Sequence, residues 1–157
     1  MKLQGNTILI TGGGSGIGEA IAHRFHDQGN VVIIAGRRLD ALQKAIEGRA
    51  NMHAMQIDVE SPAGIEDFAK RLIAEHPGVN ILINNAGIMR FEAIDKARDL
   101  ADAEATIVTN LLGPIRVTNA LVDHLAAQND AAIVNVTSGL AFVPLATTPT
   151  YSATKAA

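Results

Sequence analysis

Gly12, Gly16 and Gly18 stand in G-x-x-x-G-x-G spacing inside Ile8 to Ala22, ILITGGGSGIGEAIA. Before them lies a short isoleucine-rich run. After them a helical apolar pattern begins at Ile17, Ala20 and Ile21. This order reads as strand, tight turn and helix start. The turn needs residues without Cβ, because backbone must approach a ligand closely and some positions require φ > 0. Unpaired N–H groups in a helix's first turn, with the positive end of its dipole, form an anion site suited to a pyrophosphate. No register of the cluster gives the usual G-x-G-x-x-G fingerprint. A P-loop fails as well, since Glu19-Ala20 follows Gly18 where Lys and Ser/Thr belong. Alone, the motif is suggestive only, and a glycine-rich connection that binds nothing is the lesser alternative.

The pattern repeats along the chain. Val31 to Ala35 is a second β-branched run, apolar without alternation, as in a strand covered on both faces. A helix is expected from about Leu39 to Glu47, and a third strand over Met52 to Ile57. Ser61-Pro62 is a cap followed by proline in a first turn, opening a helix that ends near His76-Pro77-Gly78. The fourth strand is expected over Asn80 to Ile83. A long helical stretch follows from about Asp99 to Gln128, with a bend at Gly113-Pro114. The fifth strand is Ala131 to Val136. Strands alternating with helices of this length imply right-handed βαβ units. The expected fold is therefore α/β, a Rossmann-type doubly wound parallel sheet with helices on both faces, in one domain over 1–157.

Composition narrows the function. The 157 residues suffice for a single core, and 48% are hydrophobic with few aromatics. A formal charge of −3 gives no electrostatic footprint for nucleic acid. No apolar run approaches the ~18 residues of a membrane span, and Met1 to Gly5 is too polar and short for a signal peptide. The absence of cysteine removes disulfides and thiol catalysis and is compatible with a cytoplasmic location. His23 and His26 lie on one helix without clustered carboxylates, so no metal site is expected.

Ligands of such sheets bind beyond the carboxyl ends of the strands. The strand ends here are Thr11-Gly12, Gly36-Arg37, Asp58, Asn84-Asn85 and Ser138, all on one edge. After the second strand an NAD site prefers an acidic residue, whereas Arg37 and Arg38 suit the NADP 2′-phosphate. NADP(H) is thus the preferred cofactor, with NAD(H) as the alternative. Asp58 either accepts from an adenine amino group or caps the loop before Ser61. Asn84 and Asn85 either satisfy backbone in a tight turn or line the cofactor pocket. Tyr151 and Lys155 share a helix face. An ammonium beside a phenol favours phenolate and lowers its pKa from about 10, which tunes Tyr151 for proton exchange with an alcohol or carbonyl. Ser138 is placed to hydrogen-bond the same oxygen.

Together these residues resemble the short-chain dehydrogenase/reductase family, in its classical group. The matching motifs are Thr11-Gly12-x-x-x-Gly16-Ile17-Gly18, Asn84-Asn85-Ala86-Gly87, Asn110 in the long helix, Ser138, and Tyr151-x-x-x-Lys155. Thr109 to Leu112 and Ser138 to Pro144 look most like the subgroup associated with D-alanyl-lipoteichoic acid genes. The resemblance implies Tyr151 as general acid/base, with Lys155 lowering its pKa and holding the nicotinamide ribose. Ser138 would orient the reacting carbonyl, and Asn110 would hold a water that links Lys155 to solvent. Gly12, Ser15, Gly16, Ile17 and Gly18 would cradle the cofactor. Arg37, with Arg38 beside it, would bind the 2′-phosphate. Asp58, with neighbouring Val59, would bind the adenine. Asn85, with Ala86 and Gly87, would face the nicotinamide. The implied reaction is hydride transfer between NADP(H) and a small-molecule carbonyl or secondary alcohol.

Family members continue past the catalytic helix through further strands, so this chain reads as incomplete at its C-terminus. Two expectations follow. The helix bearing Tyr151 and Lys155 has little to pack on and should fray. The fifth strand should form an open sheet edge. The alternative function is a non-catalytic dinucleotide-binding remnant or fragment. Homo-oligomerisation is expected through the helix around residues 99–128, with neither nucleic acid nor membrane as partner.

Overall fold

The computed structural model describes residues 2–157. Five strands form one parallel sheet: β1 (Thr7–Thr11), β2 (Val31–Gly36), β3 (Met52–Gln56), β4 (Val79–Asn84) and β5 (Ala132–Asn135). Their spatial order is β3-β2-β1-β4-β5. The chain runs outward from β1 to β3, then crosses back to β4 on the other side of β1. That reversal opens a crevice between the C-terminal ends of β1 and β4, the switch point at which doubly wound sheets take their ligands.

Period-two alternation divides the apolar strands between two cores. Ile8, Ile10, Val32, Ile34, Ile81 and Ile83 point to one face, where they bury Ala22 of α1 (Gly16–Asp27) and Leu42 and Ala45 of α2 (Leu39–Ile46). Leu9, Ile33 and Leu82 point to the other face. There they meet Phe68 and Leu72 of α3 (Pro62–Glu75) and Val117, Leu121 and Leu125 of α5 (Gly113–Ala126). Both faces are covered, which explains why these strands lack a polar period. The Ser61 hydroxyl caps α3 by accepting from the Gly64 N–H at 3.1 Å, with Pro62 in the first turn.

The long helical stretch is present and unbroken, with one turn of a different kind. It comprises α4 (Ala101–Ile107), a π-helical turn at Val108–Leu112, and α5. The Gly113 N–H reaches back to the Val108 carbonyl, one residue further than an α-helix allows. The irregularity is this wide turn, which lies just before Gly113-Pro114. Proline lacks an N–H, so a widened turn ahead of it absorbs the missing donor.

The final helix, α6 (Pro149–Ala156), is tied down at three places. Asn110 Nδ2 donates to Thr154 Oγ1 at 3.3 Å, and Thr137 Oγ1 donates to the Lys155 carbonyl at 2.8 Å. Buried Glu92 accepts from the Thr150 N–H at 3.1 Å and from the Thr150 hydroxyl at 2.8 Å. β5 is an edge strand with Ile133 and Val134 exposed.

Candidate active site

A cavity of about 460 Å³ lies over the C-terminal ends of β1, β2 and β4. Its floor is the turn between β1 and α1. Gly12, Ser15, Ile17 and Gly18 line it there, while Ser15 leaves the first turn of α1 without a side-chain cap. The orphan N–H groups of that turn are thus the donors the site presents. Gly18 is required by space. A Cβ there would run into the carbonyl of Gly12 and the side-chain amide of Asn85.

The β4 end joins the same turn. Asn85 Nδ2 donates to the carbonyls of Thr11 at 3.0 Å and Gly12 at 3.2 Å. Asn85 therefore serves as a structural clasp, and it also lines the cavity with Ala86 and Gly87. Asn84 is buried beneath, donating to Thr118 Oγ1 at 3.2 Å and Asn135 Oδ1 at 2.9 Å.

On the β2–β3 side the cavity is bordered by Arg37, Arg38, Val59 and Glu60. Arg37 is exposed, and its guanidinium donates to Glu60 Oε1 at 3.3 Å. The Asp58 carboxylate accepts from the Glu60 N–H at 3.0 Å, closing the loop before Ser61, and it does not border the cavity.

On the α6 side Tyr151 and Lys155 both reach the cavity. Lys155 Nζ stands 5.9 Å from the centre of the Tyr151 ring and donates to the Val136 carbonyl at 2.9 Å. Burial pushes the Lys155 ammonium below its ordinary pKa. Gly16, Asn110 and Ser138 stand off this cavity. Ser138 accepts from the Leu140 N–H at 3.2 Å, capping the short 3₁₀ turn Gly139–Ala141. Asn110, presented by the π turn, accepts from the Ile88 N–H and donates to the Ile88 carbonyl, both at 2.8 Å. Asn110 borders a second cavity of about 560 Å³, which shares Lys155 with the first.

Glu60, Thr109 and Glu92 are structural participants that the sequence reading does not single out. Thr109 donates to Glu60 Oε1 at 2.8 Å. Among the described residues no group of three or more His, Cys, Asp or Glu could hold a metal ion. Among them, too, no helix is long and apolar enough to cross a membrane.

A glycine turn, a basic strand end and a Tyr–Lys pair around one crevice of a parallel sheet define a dinucleotide-binding α/β protein. Residues 6–157 match the short chain dehydrogenase family, and the chain belongs to that family. It is 42% identical to the uncharacterized oxidoreductase DltE of Bacillus subtilis (strain 168), over 100% of this chain and 63% of that protein. It is 37% identical to the NADP-dependent 3-hydroxy acid dehydrogenase YdfG of Escherichia coli (strain K12), over 95% of this chain and 60% of that protein. The crystal structure of serine dehydrogenase from Escherichia coli superposes with a TM-score of 0.87 at 37% identity, covering 96% of this chain and 70% of that one. The closed form of serine dehydrogenase complexed with NADP+ gives 0.88 at the same identity, covering 96% and 61%. The chain thus spans about 60% of the length of the curated relatives it matches.

Proposed function

We propose that this chain carries the cofactor site and proton-transfer residues of an NADP(H)-dependent oxidoreductase acting on a carbonyl or secondary alcohol. The observation that carries the reading is the convergence of Tyr151, Lys155, Arg37 and the uncapped first turn of α1 on one cavity. The residues fit a dinucleotide. The turn at Gly12 to Gly18 offers N–H donors to a diphosphate, and Arg37 and Arg38 offer planar cations to a 2′-phosphate. NADP-dependent YdfG and the NADP+ complex of serine dehydrogenase support this choice over NAD(H).

When bound, the nicotinamide supplies or accepts the hydride. Tyr151 gives its phenolic proton to the carbonyl oxygen in reduction and takes it back in oxidation. Lys155, held by the Val136 carbonyl, orients the cofactor ribose and replenishes the Tyr151 proton. Ser138 accepts from the Leu140 N–H, which leaves its own hydroxyl proton free to donate to the substrate oxygen as charge develops there. Asn110 fixes Ile88 and α6 around Lys155, and the cavity that Asn110 and Lys155 both line would hold a water linking that ammonium to solvent. Self-association through residues 99–128 is part of the reading, supported by exposed Ile107, Ile115 and Val122.

The deciding experiment combines NADPH binding with turnover on a panel of carbonyl compounds. Tyr151→Phe is expected to leave the NADPH dissociation constant unchanged and to lower turnover by about 10²–10⁴-fold. A fully active Phe variant overturns the assignment. The rival reading, a dinucleotide-binding chain without turnover, is motivated by the partial span of its relatives. Binding without turnover in the longest natural form of the protein would establish it.

A further inference from the structure

We propose that Glu60 tempers the preference of this site for NADP(H) by competing with a 2′-phosphate for Arg37. The inference rests on the NADP(H) reading above and adds a residue that opposes it. Parallel pairing places Gly36 opposite Gln56, so the segments after β2 and β3 leave the sheet side by side. Both are pinned. Gln56 Nε2 donates to the Arg37 carbonyl at 2.8 Å, and the Asp58 carboxylate holds the Glu60 N–H. Arg116 donates to the Glu60 carbonyl at 3.3 Å.

The Glu60 carboxylate is therefore presented at the cavity wall by a rigid backbone. Its Oε1 accepts from both Thr109 Oγ1 and Arg37. The Thr109 bond is the shorter, 2.8 Å against 3.3 Å, so the carboxylate is anchored to the π turn and draws the exposed arginine to itself. A guanidinium has five donors, and Glu60 engages one nitrogen of it, so a phosphate can still find donors there. It does so beside a fixed negative charge that repels a dianion and has no such quarrel with the uncharged ribose hydroxyl of NADH. The carboxylate thus narrows the gap in affinity between NADPH and NADH.

The test measures dissociation constants of NADPH and NADH, by fluorescence titration, for the wild-type chain, Glu60→Gln, Glu60→Ala and Arg37→Gln. Both Glu60 variants remove the charge with different loss of shape, so one folded variant suffices. Thermal melts identify which are folded. Exposed charge pairs contribute modestly, so NADPH should bind about 1.5- to fivefold tighter in the Glu60 variants while NADH is unchanged. In Arg37→Gln, NADPH should lose most of its advantage. Unchanged NADPH affinity in the Glu60 variants overturns the proposal, as does equal weakening of both cofactors. Selective weakening of NADH overturns it too, by making Glu60 a ribose ligand. If Arg37→Gln leaves NADPH binding intact, or the wild type binds neither cofactor, the cofactor reading itself fails. A failure confined to the Glu60 variants leaves that reading standing.

Discussion

Thr11 and Asn85 are bound to each other twice. The Asn85 N–H donates to Thr11 Oγ1 at 3.1 Å, and the Asn85 side-chain amide donates to the Thr11 carbonyl at 3.0 Å. The same hydroxyl accepts from the Ala86 N–H at 3.1 Å. Thr11 ends β1 and Asn85 follows β4, so this clasp closes the switch point of the sheet and sets the width of the crevice above it.

Thr11→Val keeps the shape and removes the acceptor. Thr11 is buried, so the N–H groups of Asn85 and Ala86 lose their partner in a place water reaches poorly. The expected loss is about 1–3 kcal/mol of stability. Denaturant unfolding measures it. NADPH affinity should fall together with stability, since the turn is no longer held against β4. A variant as stable as the wild type would show that the clasp is dispensable.

Gly18 and Gly16 are expected to respond differently to alanine. At Gly18 a Cβ meets backbone and the Asn85 amide, so Gly18→Ala must displace the clasp itself. At Gly16 no atom lies within 4 Å of the added carbon, but φ is +59°, which penalises an L side chain by roughly 1–2 kcal/mol. Thermal melts should therefore place Gly18→Ala well below Gly16→Ala. The ordering should be the same for NADPH affinity. Equal melting temperatures would contradict the packing described at Gly18.

The strands were legible because parallel pairing buries them on both faces, which leaves unbroken runs such as Ile8 to Ile10 and Val31 to Ala35. Tyr151 and Lys155 were legible because their spacing alone places them on one helix face. The π turn was not, since widening one turn changes the hydrogen-bond register while the apolar pattern on either side continues. Glu92 was not legible either. It sits in a stretch without regular elements, and its partners Arg98 and Thr150 come together only through the tertiary fold. Glu60 escaped for the same reason, because Arg37 and Thr109 approach it from two different connections.

Lys155 is held in the cavity wall at a cost to stability. Burial disfavours its ammonium, and its one hydrogen bond among the described residues is to the Val136 carbonyl. Lys155→Met keeps the apolar stem and removes the charge. This variant is expected to melt at or above the wild-type temperature while NADPH binding weakens and turnover is lost. Because the folded-state pKa lies below the unfolded value, the burial penalty falls as pH rises from the folded pKa toward about 10.4. Wild type and Lys155→Met should accordingly converge in stability at alkaline pH. A Met variant that is strongly destabilised at neutral pH would show that the lysine is structural.

Glu92 predicts an acid limb of the stability profile. Its side chain is 1% exposed, and burial alone would raise its pKa. The Thr150 hydroxyl and N–H and the Arg98 guanidinium outweigh burial and hold the carboxyl below the usual range. A depressed folded-state pKa contributes stability that is present above the unfolded value of about 4.3 and is lost as pH falls through the folded value. Glu92→Gln removes that contribution. Its stability should therefore lie below wild type at neutral pH and approach it on acidification below about pH 4. The Thr150 N–H lies in the first turn of α6, so the same substitution loosens the helix that presents Tyr151. Turnover should drop more than NADPH affinity, because the glycine turn and Arg37 do not depend on this contact. Parallel stability curves for the two proteins from pH 7 to pH 3 would remove Glu92 from this role.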